Sequence, residues 1–390
     1  MAITSPWRAD FDIPADLTYL NAAFMTPIPR ASAAAGEAGI RVKLAPWKLT
    51  RASFYTEVEE ARSEAAAVIN ARPEDIAIVA GTSYGIATAA RNIVAPEGHA
   101  IIGIRGEHPS QTYAWQVQAE RTGAVYEQVD REPDQSWAEA IIARLNDESR
   151  PPVAILALTQ VHWSDGSLVD LVAIGEAARA RNVALVVDAT QSAGVMELDV
   201  GKIRPDFVAF ATYKWLIGPY ALAFLYAAPW RQEGDPLEQH AFCRVGADGY
   251  VNHYARDRDF MPGARRYDMG ERSNFATLPV AIASIRYLRR IGLDRVRSHI
   301  EAVTDAMAAQ AAALGISVLD KRLRSPHLLG LRGEGDFSDG VVKALAEAGV
   351  VVSARDGVVR VGPHIYTEAV DIDRFTRGLE VYLSCSKRRV

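Results

Sequence analysis

Val183-Ala184-Leu185-Val186-Val187-Asp188-Ala189-Thr190-Gln191-Ser192-Ala193-Gly194 reads as a buried strand that ends on a carboxylate and breaks into a small polar turn. Five consecutive apolar residues without alternation suit a strand covered on both faces, as in a parallel sheet. In open α/β sheets, ligands bind beyond the carboxyl ends of the strands, so polar residues there carry most weight. A carboxylate at such a strand end is expensive to bury unless something pairs it. Helix-start N–H groups, a metal ion and a protonated ring nitrogen would each meet that need.

Similar apolar runs occur at Ile76–Ala80, Ala100–Ile104, Val153–Leu158, Phe207–Phe210 and Ala221–Tyr226. Segments with helical spacing lie between them, among them Ser110–Arg121, Trp137–Leu145 and Val172–Arg181. The alternation predicts an α/β domain with a mostly parallel central sheet and helices on both faces. After residue 262 the pattern changes. Leu278–Leu314 reads as a long helix interrupted near Gly292, followed by a strand-like His327–Leu331 and a helix near Asp339–Ala348. A hairpin is expected around Asp356-Gly357, and a last helix carries Ile372, Phe375, Leu379 and Tyr382. The predicted organisation is an N-terminal arm (1–14), a large α/β domain (15–262) and a small α+β C-terminal domain (263–390), with no repeat or Pro/Gly linker between them.

The bulk numbers fit two domains: 390 residues, 49% hydrophobic and 23% charged. A net charge of −5 gives no electrostatic footprint for nucleic acid or an anionic membrane, and no run reaches the ~18 apolar residues of a span. The pairs Arg265-Arg266 and Arg289-Arg290 read as solvated faces, and Lys387-Arg388-Arg389 as a frayed tail. Cys243 and Cys385 are far apart, form no metal-ligand spacing, and suit a reducing compartment better than a disulfide framework. With no apolar signal segment in Met1–Pro14, the expected location is the cytoplasm.

Lys214 follows the next strand, in Phe210-Ala211-Thr212-Tyr213-Lys214-Trp215, 26 residues after Asp188. A Lys wedged between Tyr and Trp is partly desolvated, which lowers its pKa and suits a Schiff-base nucleophile; a Lys snorkelling from a strand end is the plainer reading. Ala80-Gly81-Thr82-Ser83-Tyr84-Gly85 ends another strand and opens a helix, so its hydroxyls and free N–H groups could hold a phosphate or simply cap the helix. No Gly-x-Gly-x-x-Gly occurs, which argues against a dinucleotide fold.

The ordered set Gly81-Thr82-Ser83, Glu107-His108, Asp188-Ala189-Thr190-Gln191-Ser192 and Tyr213-Lys214 resembles the class V aminotransferase and cysteine desulfurase group of fold-type I pyridoxal-phosphate (PLP) enzymes. The likeness runs from Tyr19-Leu20-Asn21 to Arg360. It implies a PLP-transferase fold, a Schiff base on Lys214, a salt bridge from Asp188 to the pyridine nitrogen and a hydrogen bond from Gln191 to the phenolic oxygen. It further implies phosphate contacts from Thr82 and Ser83, Tyr213 where many members carry a phosphate-binding His, and His108 stacked on the ring. Arg360 falls where relatives bind the substrate's α-carboxylate, a task suited to a guanidinium fork. Ser273 and Asn274, in Gly270-Glu271-Arg272-Ser273-Asn274-Phe275, resemble a segment that crosses a homodimer interface toward the neighbour's cofactor. His162 and Trp163, in Gln160-Val161-His162-Trp163-Ser164-Asp165-Gly166, are candidates for the substrate side or for plain packing.

One departure narrows the chemistry. Desulfurases of this group carry a nucleophilic Cys shortly before the carboxylate Arg, and the stretch Ala348–Gly357 has none. A persulfide-forming desulfurase is therefore disfavoured. Transamination and β-elimination (a carbon–sulfur lyase) of an α-amino acid come first. An amino-acid racemase or epimerase, or a kynureninase-like hydrolase, follows. A binding protein that kept the fold without catalysis, and a nucleotide-binding α/β protein, remain as non-PLP-enzyme readings.

Overall fold

The computed structural model describes residues 3–246 and 259–386; the Lys387-Arg388-Arg389 run lies outside them. Its strands are β1 (Thr18–Tyr19), β2 (Ile76–Val79), β3 (Ala100–Ile104), β4 (Val125–Val129), β5 (Val153–Thr159), β6 (Ala184–Asp188), β7 (Phe207–Ala211), β8 (Ala223–Ala227), β9 (Ser317–Val318), β10 (Leu329–Arg332), β11 (Val350–Val351), β12 (Ser353–Arg355) and β13 (Val358–Val361). Each of the six apolar runs read from the sequence is a strand, with no end moved by more than two residues. Strand β4 has no such signal: Val125-Tyr126-Glu127-Gln128-Val129 is a partly exposed edge strand, so it needs no continuous apolar run.

The chain forms two compact units. The larger comprises Ser32–Gln160 and Val169–Tyr287. Its seven-stranded sheet has the order β2-β8-β7-β6-β5-β3-β4. Neighbours from β7 through β4 pair in parallel, while β8 pairs antiparallel with both β2 and β7. Strand β8 therefore runs alone against the rest, and six strands share one carboxyl edge. Strands β2, β3, β7 and β8 are buried along their whole length, as their uninterrupted apolar sequences require. Trp115, Ile155, Val186, Phe207 and Leu225 belong to the core that the sheet shares with its helices.

The smaller unit comprises the chain up to Ala31, Val161–Leu168 and the residues from Leu288 onward. It contains the four-stranded antiparallel sheet β12-β13-β10-β9 and the short parallel pair β1-β11. The long helix anticipated from Leu278 to Leu314 is two, Thr277–Ile291 and Leu293–Ala313, broken at Gly292, whose φ of +93° leaves the helical region. Leu20, Val303, Met307, Leu331, Val359 and Phe375 form its core.

These contacts divide the chain differently from boundaries at residues 14 and 262. The N-terminal segment joins the smaller unit because Thr18 and Tyr19 pair with Val350 and Val351, and Arg8 ion-pairs with Asp371 at 3.0 Å. Residues 161–168 join it through backbone bonds from Leu168 N to Leu323 O and from Ser325 N to Gly166 O, both 2.8 Å. A two-residue strand and an eight-residue loop carry no periodicity, so sequence pattern is blind to both.

Residues 263–287 fall in the larger unit because they seal its open edge. Asp268 is buried and accepts from Ile78 N at 2.8 Å and from both terminal nitrogens of the fully buried Arg62, at 3.0 and 2.8 Å. Arg62 also donates to Ile76 O, and Met269 N donates to Ile78 O at 2.8 Å. The outward row of polar groups on edge strand β2 is thus covered. Asp268→Ala would remove the two-pronged partner of buried Arg62, leaving it only the carboxylate of Glu59 at 3.2 Å, and would take the carboxylate from buried Arg272, 3.1 Å away. We expect a loss of about 3–5 kcal/mol of stability, read by urea unfolding of the apoprotein, as for other broken buried pairs. A loss below about 1 kcal/mol would show that the pair is not what closes this edge.

Candidate active site

The parallel strands of the larger unit bring three turns to one edge of the sheet. The first follows β2. Gly81 precedes the helix Thr82–Asn92, so Thr82 and Ser83 open it with backbone N–H groups that have no intrahelical acceptor. Gly85, one turn on, seats this helix on the sheet: a Cβ there would come within 2.8 Å of Ala209 in β7. Thr82 Oγ1 meets Thr190 Oγ1 at 2.7 Å, tying the helix start to the second turn.

That second turn follows β6. Asp188 is half-buried, and its Oδ1 accepts from Thr190 N at 2.9 Å. Its carbonyl accepts from Thr159 Oγ1 at 3.0 Å, which ties it to neighbouring β5. Gln191 is buried, and its Oε1 accepts from Trp215 Nε1 at 2.8 Å. The third turn follows β7, the parallel neighbour of β6. Thr212 clamps it, donating from Oγ1 to Pro219 O at 2.6 Å, while Gly218 N donates to Thr212 O at 2.8 Å. Lys214 is half-buried, with Nζ 5.5 Å from the centre of the Tyr213 ring. Tyr213 stands edge-on to Tyr220 at 4.8 Å. Ile217 is held at φ +47°, a conformation rare for a β-branched residue and typical of loops shaped for function.

His108 ends the turn after β3. Its Nδ1 accepts from Ser110 N at 3.2 Å, and its backbone N–H donates to buried Glu107 at 2.7 Å, so it starts the helix Pro109–Thr122. Ser273 and Asn274 have local bonds: Ser273 Oγ donates to Phe54 O at 2.7 Å, and Asn274 Oδ1 accepts from Ala276 N and Thr277 N at 3.0 Å each. Both line a cavity of about 450 Å³ with Ile40, Phe54 and Phe242. Gln160 lies just past β5. Its Nε2 donates to Glu197 O at 3.0 Å, while Oε1 is buried without a hydrogen-bond partner among the described residues. Only its position beyond a strand end could have flagged it.

The smaller unit holds Arg360, His162 and Trp163 together. Arg360 is buried in β13. Its Nη1 donates to Trp163 O and its Nη2 to Ser353 Oγ, both at 3.0 Å, with the guanidinium 5.7 Å from the Trp163 ring centre. Ser353 Oγ donates on to Asn21 Oδ1 at 2.8 Å. His162 Nδ1 lies 3.0 Å from Ser164 Oγ and 3.3 Å from Asp165 Oδ1, within the same turn. Burial alone would raise the Asp165 carboxyl. His162 beside it and hydrogen bonds from Ser167 hold it well below the usual carboxylate range. His162 therefore braces the turn that carries Trp163.

The donor set of the larger unit fits pyridoxal phosphate by its chemistry. It offers an amine on Lys214, a carboxylate on Asp188 for a pyridinium nitrogen, and an amide on Gln191. The Thr82–Asn92 helix start, with two hydroxyls, suits a phosphate.

Comparison with known proteins agrees. The family model for aminotransferase class-V matches residues 48–377. An uncharacterised aminotransferase of Bacillus subtilis, YcbU, is 27% identical over 313 residues, 80% of each chain. Isopenicillin N epimerase of Streptomyces clavuligerus is 25% identical over 380 residues, 93% of this chain and 94% of that one. Among solved structures, the apo cysteine desulfurase of Thermococcus onnurineus superposes with a TM-score of 0.83 at 20% identity, covering 97% and 98% of the two chains; it shares the fold. Similar chains named as probable cysteine desulfurases sit uneasily with disfavouring that chemistry. Against it, Ala348–Gly357 has no Cys. Cys243 is fully buried and its thiol is pushed up by burial, and Cys385 lies near the end of the last helix. The chain belongs to the class-V aminotransferase family of fold-type I enzymes, and its cofactor is pyridoxal phosphate.

Proposed function

We propose that this enzyme acts on an α-amino acid by transamination or β-elimination. The carrying observation is the convergence of Lys214, Asp188, Gln191 and the Thr82–Asn92 helix start on one edge of the sheet of the larger unit. Pyridoxal phosphate, when bound, supplies an electron sink for the pair released as a bond to the α-carbon breaks. Lys214 would bind the cofactor through its amine and carry the α-proton on Nζ. Asp188 would pair the pyridine nitrogen, and Gln191 would donate to the phenolic oxygen. Thr82, Ser83 and Tyr213 would hold the phosphate, and His108 would lie against the ring. Arg360 grips the α-carboxylate, while His162 and Trp163 shape the ground around it.

Epimerisation is the second reading, favoured by an isopenicillin N epimerase relative that matches nearly end to end. A panel of amino acids separates the three. Amino transfer to a keto acid marks a transaminase, and a keto acid with a released thiol marks a lyase. Loss of optical activity without either marks an epimerase.

We further propose a homodimer, located in the cytoplasm. Support for the dimer comes from exposed Ile40, which lines the cavity with Ser273 and Asn274, and from exposed Leu44 and Trp47 (79% accessible) close to it in the chain. Light scattering of the purified holoenzyme should give twice the 42.5 kDa chain mass. A monomer would refute the dimer.

Lys214→Ala is expected to lower turnover by roughly 10²–10⁴-fold or more with an unchanged circular dichroism spectrum; wild-type turnover in that variant would sink the mechanism. Arg360→Ala is expected to raise KM for the amino acid by about 10–100-fold with a smaller change in kcat, as loss of a charge-assisted bond implies. Ser353→Ala, which removes a brace of Arg360, should raise KM by only about 3–10-fold. An unchanged KM in Arg360→Ala would move the carboxylate site elsewhere.

A further inference from the structure

We propose that Trp215 is a positioning residue that decides which end of the Gln191 amide is offered to the cofactor. The inference rests on the reading of Gln191 as partner of the phenolic oxygen. The Trp215 indole is fully buried, immediately follows Lys214 in the chain, and donates from Nε1 to Gln191 Oε1 at 2.8 Å. An indole N–H can only donate, so the amide atom facing it has to be the carbonyl oxygen. Oxygen and nitrogen sit on opposite branches of the planar amide. The bond therefore turns Nε2 and its two hydrogens away from Trp215.

The two ends of a primary amide are nearly equal in size, so packing alone discriminates poorly between them; hydrogen bonding does. An amide reversed by half a turn would point a lone pair at an anionic phenolic oxygen instead of an N–H group. Trp215 thus acts as a polarity selector one residue away from the cofactor-binding Lys.

The surrounding backbone holds the two partners in register. Gly194, at φ +99°, lets the Gln191 turn approach so closely that a Cβ would sit 3.0 Å from Trp215 O and 2.7 Å from Leu216. On the other side, Ile217 N donates to Lys214 O at 3.0 Å, and Ile217 O accepts from Ser284 Oγ at 2.9 Å. The indole has little room to turn away from Gln191.

Trp215→Phe keeps an aromatic ring in the site and deletes the N–H. In cofactor-loaded protein, the pH midpoint of the visible absorbance change should shift by roughly 1–2 pH units, in the same direction as in Gln191→Ala, the size expected for one hydrogen bond to a charged group. The double variant should shift no further than Gln191→Ala alone, because both changes act through one contact. A wild-type midpoint in Trp215→Phe beside a shifted one in Gln191→Ala would overturn the positioning role and leave the Gln191 reading intact. An unshifted midpoint in Gln191→Ala would overturn that reading, and the role of Trp215 with it. If circular dichroism shows that the Phe variant does not fold, the same titration is run with the Trp215 indole replaced by benzothiophene. That ring has the same shape and carries sulfur in place of N–H.

Discussion

The parallel pairing of β6 with β7, in which Val186, Val187 and Asp188 face Phe207, Val208 and Ala209, is the constraint on which the cofactor side of this protein depends. Because the strands run the same way, the chain must leave both at the same edge of the sheet. The turn carrying Asp188 and Gln191 and the turn carrying Lys214 and Trp215 are thereby made neighbours. An antiparallel pair would have sent them to opposite edges. Side-chain bonds then refine what the sheet begins: Thr82 to Thr190 on one flank, Trp215 to Gln191 on the other.

This dependence explains why the strand ends, and the polar turns beyond them, were legible in the sequence. Strands buried on both faces have to be apolar throughout, and each such run ends where polar residues resume, so Asp188 and Lys214 announce themselves by position. Strand β4 escaped because an edge strand needs no continuous apolar run. The division into units escaped because it turns on single contacts: β1 pairing with β11, and Arg62 meeting Asp268 some two hundred residues away. Charged residues far apart in sequence give no sign that they will be buried together.

For the proposed site, the resemblance implies which residues take part and says nothing of how they are oriented. Gln191 is one of them, and the end of its amide that faces Trp215 Nε1 follows from a contact between two turns. Arg360 was picked out for its guanidinium, whereas the grip of Ser353, Asn21 and the Trp163 carbonyl on it needs β12 and β13 to be paired first. Ser273 and Asn274 show the opposite case, since both have local duties in the larger unit, and Asn274 caps a helix. The reaction itself is set by which bond of the substrate stands perpendicular to the cofactor ring, and by the side chains that move protons there. Ala348–Gly357 has no Cys before Arg360, while similar chains are named as probable cysteine desulfurases.

We propose Lys214 as the residue that binds the cofactor, and borohydride reduction of the purified, cofactor-loaded protein, followed by proteolysis and mass spectrometry, is the decisive test. A cofactor-sized mass increase is expected on the peptide containing Lys214 and on no other lysine. An adduct on a different lysine, or none in protein saturated with pyridoxal phosphate, would overturn the assignment.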